Sequence, residues 1–134
     1  MAKKHKNGVS EAYLDQLFST YIRLKYADED GFVLCCNCNR KFHWRDVTNG
    51  HFIKRRHRTL RWSELNCHPE CAPCNMADIN LGYAEYMVAR YGSDVFSLLA
   101  THKNSREKIT PQERKIMADN YKAKIKQLKK EKGL

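Results

Sequence analysis

The chain has no apolar run approaching the roughly 20 residues of a membrane-spanning helix, so a soluble protein is expected. The marks of a secretory leader are missing too: Met1-Ala2-Lys3-Lys4-His5-Lys6 is charged and no apolar stretch follows it. The expected compartment is therefore the cytoplasm. Internal repeats and low-complexity linkers are absent, and 134 residues suit one domain with appendages. Acidic residues are outnumbered, 15 against 25 basic ones, for a formal net charge of +10. A solubilising surface is the plainer reading of that excess. A polyanion partner is the sharper one, because phosphate neutralisation releases counterions and drives association.

Six cysteines are present. Four of them form two Cys-x-x-Cys pairs, Cys35/Cys38 and Cys71/Cys74, with the tight-turn spacing of zinc knuckles. In a reducing compartment such pairs read as zinc ligands and not as disulfides. Cys36 and Cys67 read as bystander thiols. One structural Zn²⁺ held by Cys35, Cys38, Cys71 and Cys74 would staple a segment too small to bury a large core by itself.

Flanking elements follow from local pattern. Ser10 caps a helix in which Leu14, Leu17, Phe18, Tyr21 and Leu24 recur to about Tyr26, expected to pack on the zinc core without a chemical role. Lys41 to Trp44 alternates as a short strand, and Asn49 to Ile53 is expected to be a strand carrying His51. From Asn75 a helix is expected, with Ile79, Tyr83, Met87 and Arg90 on one face and Gly92 as its stop. Ser93 would cap a short helix through Leu99. Thr110-Pro111-Gln112-Glu113 is a capping box opening a last helix to about Lys130. Its seam of Met117, Tyr121, Ile125 and Leu128 would dock within the chain or on a second copy. The expected division is a basic arm and helix over 1–29, a zinc-bound core over 30–92 and a basic helical extension over 93–134.

Strand, loop, strand and helix in that order, with His51 on the first strand and Asn75 after the last knuckle cysteine, match the ββα-metal plan of His-Asn-His nucleases. The fold class expected is α+β, a zinc-stapled ββα-metal core with helical extensions at both ends. A neutral imidazole accepts a proton from water near pH 7, which makes His51 the candidate general base; the alternative is a structural strand histidine. Asn75 and Asp78, one turn apart, would offer oxygens to a hard cation, Mg²⁺ or Mn²⁺. For Asn75 the alternative is a helix cap, and for Asp78 an exposed helix residue. Asn66 would tie the loop backbone so that His51 points correctly. Lys54, Arg55, Arg56, Arg58 and Arg61 crowd the loop after His51, where a substrate phosphate would sit.

Gly50-His51-Phe52, Leu60-Arg61-Trp62, Glu64, Asn66, His68, Cys71, Cys74-Asn75, Asn80-Leu81 and Tyr86 resemble the phage recombination protein NinG (Rap) family over roughly residues 33–92. The pattern is also similar to the phage junction resolvase endonuclease VII, with its four-cysteine zinc site, catalytic histidine and asparagine after the last cysteine. The resemblance implies a DNA endonuclease of the host cell cytoplasm acting on branched recombination intermediates, Holliday junctions included. In that resolvase and most His-Asn-His enzymes an aspartate precedes the histidine; here Gly50 stands there. The second protein ligand of the cation is then open among Asp78, Asp46, Glu64 and His68. Two nicks per junction would suit a homodimer. The competing readings are a non-catalytic zinc module binding nucleic acid, and a sequence-specific homing or restriction-type nuclease with the same core.

Overall fold

In this computed structural model, which describes residues 4–5, 8–77, 80–104 and 108–134, helices surround three two-stranded antiparallel sheets. β1 (Lys4–His5) pairs with β2 (Gly8–Val9) ahead of α1 (Glu11–Tyr26). Ser10 caps α1 by accepting from the Tyr13 N–H at 3.1 Å, as the sequence leads one to expect. β3 (Phe32–Leu34) and β4 (Lys41–His43) form a hairpin with Val33 opposite Phe42. The first knuckle is its tip. There the Cys35 N–H donates to Arg40 O at 2.9 Å, and Asn39 takes a left-handed φ of 61°.

β5 (Thr48–His51) pairs with β6 (Cys67–Glu70) in the register Thr48↔Glu70, Asn49↔Pro69, Gly50↔His68 and His51↔Cys67. The strand carrying His51 therefore stops two residues short of the expected Ile53. The second strand of the expected strand–loop–strand order is Cys67–Glu70. Side chains alternate along a strand, so Thr48, Gly50, His68 and Glu70 share one face and Asn49, His51, Cys67 and Pro69 the other.

The single helix expected from Asn75 is two helices, α2 (Ala72–Ala77) and α3 (Leu81–Tyr91). The knuckle itself starts the first: the Asn75 N–H donates to Cys71 O at 3.0 Å, so Asn75 lies inside the opening turn and does not begin the helix. Gly82 permits the close approach of α3 to the first knuckle, since a Cβ there would lie 2.0 Å from Asn37 O. Gly92 ends α3 with φ 87°. α4 (Val95–Lys103) begins behind Asp94 and not Ser93. α5 (Pro111–Lys132) opens on the expected capping box, with Thr110 Oγ1 accepting from the Glu113 N–H at 3.1 Å.

α1 packs between α5 on one side and the β5–β6 hairpin on the other. Phe18 and Tyr21 meet Tyr121 with ring centroids 5.2 and 5.0 Å apart. The seam of Met117, Tyr121, Ile125 and Leu128 docks on this core within the chain, so it is not the open face a second copy would need. Lys132 Nζ donates to Leu24 O, Lys25 O and Ala27 O at 2.7, 2.9 and 2.7 Å, closing the carbonyl end of α1. A second cluster joins Cys36, Leu60, Tyr83, Met87, Val95 and Leu99. Among the described residues, no helix is long and apolar enough to cross a membrane.

Candidate functional site

The two knuckles converge. The sulfurs of Cys35, Cys38, Cys71 and Cys74 all lie within 4.8 Å of one another, and Cys38 Sγ is 3.8 Å from Cys71 Sγ. Thiolates about 2.3 Å from a tetrahedral zinc are separated by about 3.8 Å, so the four cysteines could hold a zinc ion. Main-chain N–H groups of Cys38 and Cys71 point at Cys35 Sγ, at 3.5 and 3.3 Å. Burial opposes ionisation of Cys38, but hydrogen bonds from Arg40 bring its thiol down to about 6. Cys36 and Cys67 lie outside the cluster; burial pushes both thiols up, the behaviour of inert core residues.

Beyond this staple, a cleft of about 840 Å³ is lined by His51, Asn75, Lys54, Arg55 and Arg61, with Thr48 and Asn49 from β5. The ring of His51 is anchored at one end, its Nε2 lying 2.7 Å from Arg61 O. A carbonyl only accepts, so the hydrogen is on Nε2 and the lone pair on Nδ1. Burial lowers the pKa of His51, with the nearby Arg55 charge adding to it, while the Arg61 and Asn49 main-chain groups and the Asp15 charge work in the opposite direction. The neutral ring therefore predominates at pH 7.

Asn66 is fully buried at the base of the loop. Its Oδ1 accepts from the Ile53 N–H at 2.8 Å, and its Nδ2 donates to Ile53 O and Leu60 O at 2.9 and 3.2 Å. One side chain thus ties the start of the basic loop to its end. The Phe52 N–H donates to Asn66 O at 2.9 Å, which adds a main-chain tie beside His51.

The basic residues divide. Lys54, Arg55, Arg56 and Arg58 are exposed. Arg61 is drawn inward: its Nε donates to Asp15 Oδ1 at 2.9 Å, its Nη2 to Asp15 Oδ2 at 2.5 Å and its Nη1 to Glu11 Oε2 at 2.7 Å. Arg58 also pairs with Glu11, and Arg55 reaches Asp15 at 3.4 Å. The opposite wall of the cleft is α1, through Asp15, Gln16, Ser19, Thr20 and Arg23. Reading that helix as packing alone overlooked this wall. The signal was a polar stripe at i, i+4 and i+8, Asp15, Ser19 and Arg23, opposite the apolar face.

The residues considered as further cation ligands fare differently. His68 is fully buried, with its Nδ1 2.9 Å from Tyr83 OH and its Nε2 2.7 Å from Tyr91 OH. Burial, helped by Arg90 and Lys25, pushes its pKa down to about 3, so it is a neutral core histidine. Glu64 accepts from Tyr21 OH at 2.8 Å and pairs with Lys25 at 3.1 Å. Asp46 is exposed on a 3-10 turn and does not line the cleft. Asp78 lies outside the described residues.

A family model described as Bacteriophage Lambda NinG protein matches residues 1–131. The chain belongs to the NinG family. The motif resemblance ends near residue 92, whereas the family match takes in the helical flanks at both ends. No curated protein and no solved structure matches the chain. In this NinG-family chain, oxygen donors suited to a hard cation do occur in and around the cleft. Asn75 is exposed there, and Asn49 Oδ1 is buried with no hydrogen-bond partner among the described residues. Glu70, unremarked in the sequence between Pro69 and Cys71, is only 2 % exposed. Burial raises its pKa, against the pull of the Asn37 amide and the Lys54 charge.

Proposed function

We propose that this NinG-family chain is a divalent-cation-dependent DNA endonuclease with a zinc-stapled ββα-metal core, selective for branched recombination intermediates such as Holliday junctions. The observation that carries it is the meeting of His51 and Asn75 in one cleft rimmed by Lys54 and Arg55. The preference for branched DNA rests on the family resemblance, and the basic loop and net charge of +10 support a polyanion substrate. The host cell cytoplasm is where such an enzyme would meet its DNA.

In this reading the basic loop holds the phosphodiester against the hairpin. His51 Nδ1 takes a proton from water as the water oxygen bonds to phosphorus. The bond from phosphorus to the 3′ oxygen breaks, and that oxygen leaves and takes a proton from solvent. A bound Mg²⁺ or Mn²⁺, held through Asn75, would stabilise the charge on the phosphoryl and leaving oxygens. Arg61 O keeps the imidazole in the tautomer that leaves Nδ1 basic. Asn66 keeps the loop closed so that Arg61 O stays in place.

The test incubates the purified protein with linear, Y-shaped and four-way DNA, each with Mg²⁺ and with EDTA. Cleavage of the branched forms in Mg²⁺ alone is expected, and loss of cutting in His51→Ala with zinc and DNA affinity intact. A chain that binds all three substrates and cuts none is a zinc-containing binding module. Cutting of linear duplex at one fixed sequence, with no preference for branches, makes it a homing or restriction-type nuclease.

A further inference from the structure

Glu70 is a buried carboxylate to which the reaction above gives no task. It is 2 % exposed, and among the described residues one hydrogen bond reaches its carboxylate, from Asn37 Nδ2 to Oε2 at 3.0 Å. Enclosing a carboxylate this way is costly unless something compensates its charge. Its setting is specific. Glu70 ends β6 one residue before the zinc cysteine Cys71, on the strand face it shares with Gly50. A Cβ built on Gly50 would sit 2.5 Å from Glu70 Oε1 and 2.7 Å from Glu70 Cβ. The first distance is about the separation of Cβ from a carboxylate oxygen within a single aspartate. The Glu70 side chain therefore fills the space that a side chain at position 50, directly before His51 in the chain, would need.

Gly50 is buried and keeps an ordinary backbone conformation, so no turn demands a glycine there. The approach of Glu70 does demand one. The positive charge acting on this carboxylate is that of Lys54, which itself lines the cleft beside His51 and Asn75. Asn75 follows Glu70 by five residues, across one turn of knuckle and helix. Of the described acidic residues around the cleft, Asp15, Glu11 and Glu64 are engaged with arginine, lysine or tyrosine.

We propose that Glu70 is the carboxylate ligand of the catalytic cation, reaching across the β5–β6 ladder into the space left by Gly50 and sharing the ion with Asn75. This assignment rests on the nuclease reading above. A hard divalent ion would then find one charged and one neutral oxygen from the protein and keep water in its remaining positions.

The experiment titrates Mn²⁺ into the zinc-loaded full chain, following free Mn²⁺ by electron paramagnetic resonance beside elemental zinc analysis. The chains are wild type, Glu70→Gln and the exchange Gly50→Asp with Glu70→Gly, which also removes the Cβ that would meet an aspartate at position 50. Glu70→Gln keeps the shape and is expected to retain one zinc while losing at least tenfold in Mn²⁺ affinity. The exchange moves the carboxylate to position 50 and is expected to regain most of that affinity, which a purely structural Glu70 would not allow. If wild type binds Mn²⁺ and cuts DNA while Glu70→Gln binds Mn²⁺ equally well, the ligand assignment falls and the nuclease reading stands. If wild type neither binds Mn²⁺ nor cuts DNA, both fall. Loss of zinc in Glu70→Gln, with no recovery of Mn²⁺ binding in the exchange, makes Glu70 a support for the knuckle and overturns the assignment.

Discussion

His51 donates its Nε2 hydrogen to the main-chain oxygen of Arg61 at 2.7 Å, so the base candidate is oriented by a residue whose own side chain is clamped by α1. Asp15 receives two nitrogens of the Arg61 guanidinium and also Trp62 Nε1, at 2.9 Å. Asp15 is thus one remove from the imidazole, and in the proposed reaction it would act as a positioning residue. Asp15→Asn is expected to lower the cleavage rate about tenfold to a hundredfold, the usual penalty for loosening a reactive group by a fraction of an ångström to an ångström. Substrate affinity should change little. A rate left at the wild-type value in single-turnover cleavage would sever the link between α1 and His51.

Asn66→Ala removes three hydrogen bonds and strands two main-chain groups of the loop. The expected loss is about 2–4 kcal/mol of stability, judged from the usual cost of unmade buried hydrogen bonds. Urea unfolding measures it. Cleavage should fall further than stability alone explains, because the loop carries Arg61 O. An Asn66→Ala chain cutting at the wild-type rate at low temperature would separate the loop tie from the chemistry.

The thiol cluster makes a stoichiometric prediction. One zinc per chain is expected, lost on Cys71→Ser and retained on Cys36→Ala. Structural zinc contributes on the order of 10 kcal/mol in small zinc domains, comparable with the whole stability of a domain. Chelation should therefore unfold the hairpin around His51 and not merely silence it. Elemental analysis and far-ultraviolet circular dichroism before and after chelation decide the matter, and a fully folded zinc-free chain would contradict it.

His68 predicts the acid behaviour. Its pKa falls from the ordinary 6.5 to about 3 on folding, mainly through burial. The unfolded chain then binds the extra proton, so the stability held above pH 6.5 is lost as pH falls toward 3. From pH 7 to pH 5 this group alone should remove about 2 kcal/mol. His51, also lowered, acts in the same direction. Denaturant midpoints at the two pH values test it, and His68→Gln should flatten the difference. An equal acid sensitivity in wild type and His68→Gln would refute the assignment.

Where the sequence could be read, the signals were local. Ser10, the Thr110 capping box and Gly92 each act within a turn of their own position, and all three end or begin helices where expected. The four zinc candidates were equally legible, because two knuckles at fixed spacing have little else to do. The bounds of the strand Cys67–Glu70 were not. Cys67, His68, Pro69 and Glu70 are all buried, so no alternation of polar and apolar residues marks them. The break between α2 and α3 was hidden for a related reason: the knuckle starts its own helical turn before the periodic face of Tyr83 and Met87 begins.

By itself the sequence determined which four cysteines could hold a zinc ion and the excess of positive charge, since both follow from residue type and spacing. Only the tertiary structure decided which charges are available and where acids stand. Arg61 and His51 look alike as surface polar residues in the sequence. One is bound to carboxylates 46 and 50 positions away, and the other is bound to a main-chain oxygen of the first. The approach of Glu70 to Gly50 across a ladder is of the same kind. Pairings between distant segments are set by how helices and hairpins pack, and no local pattern encodes them.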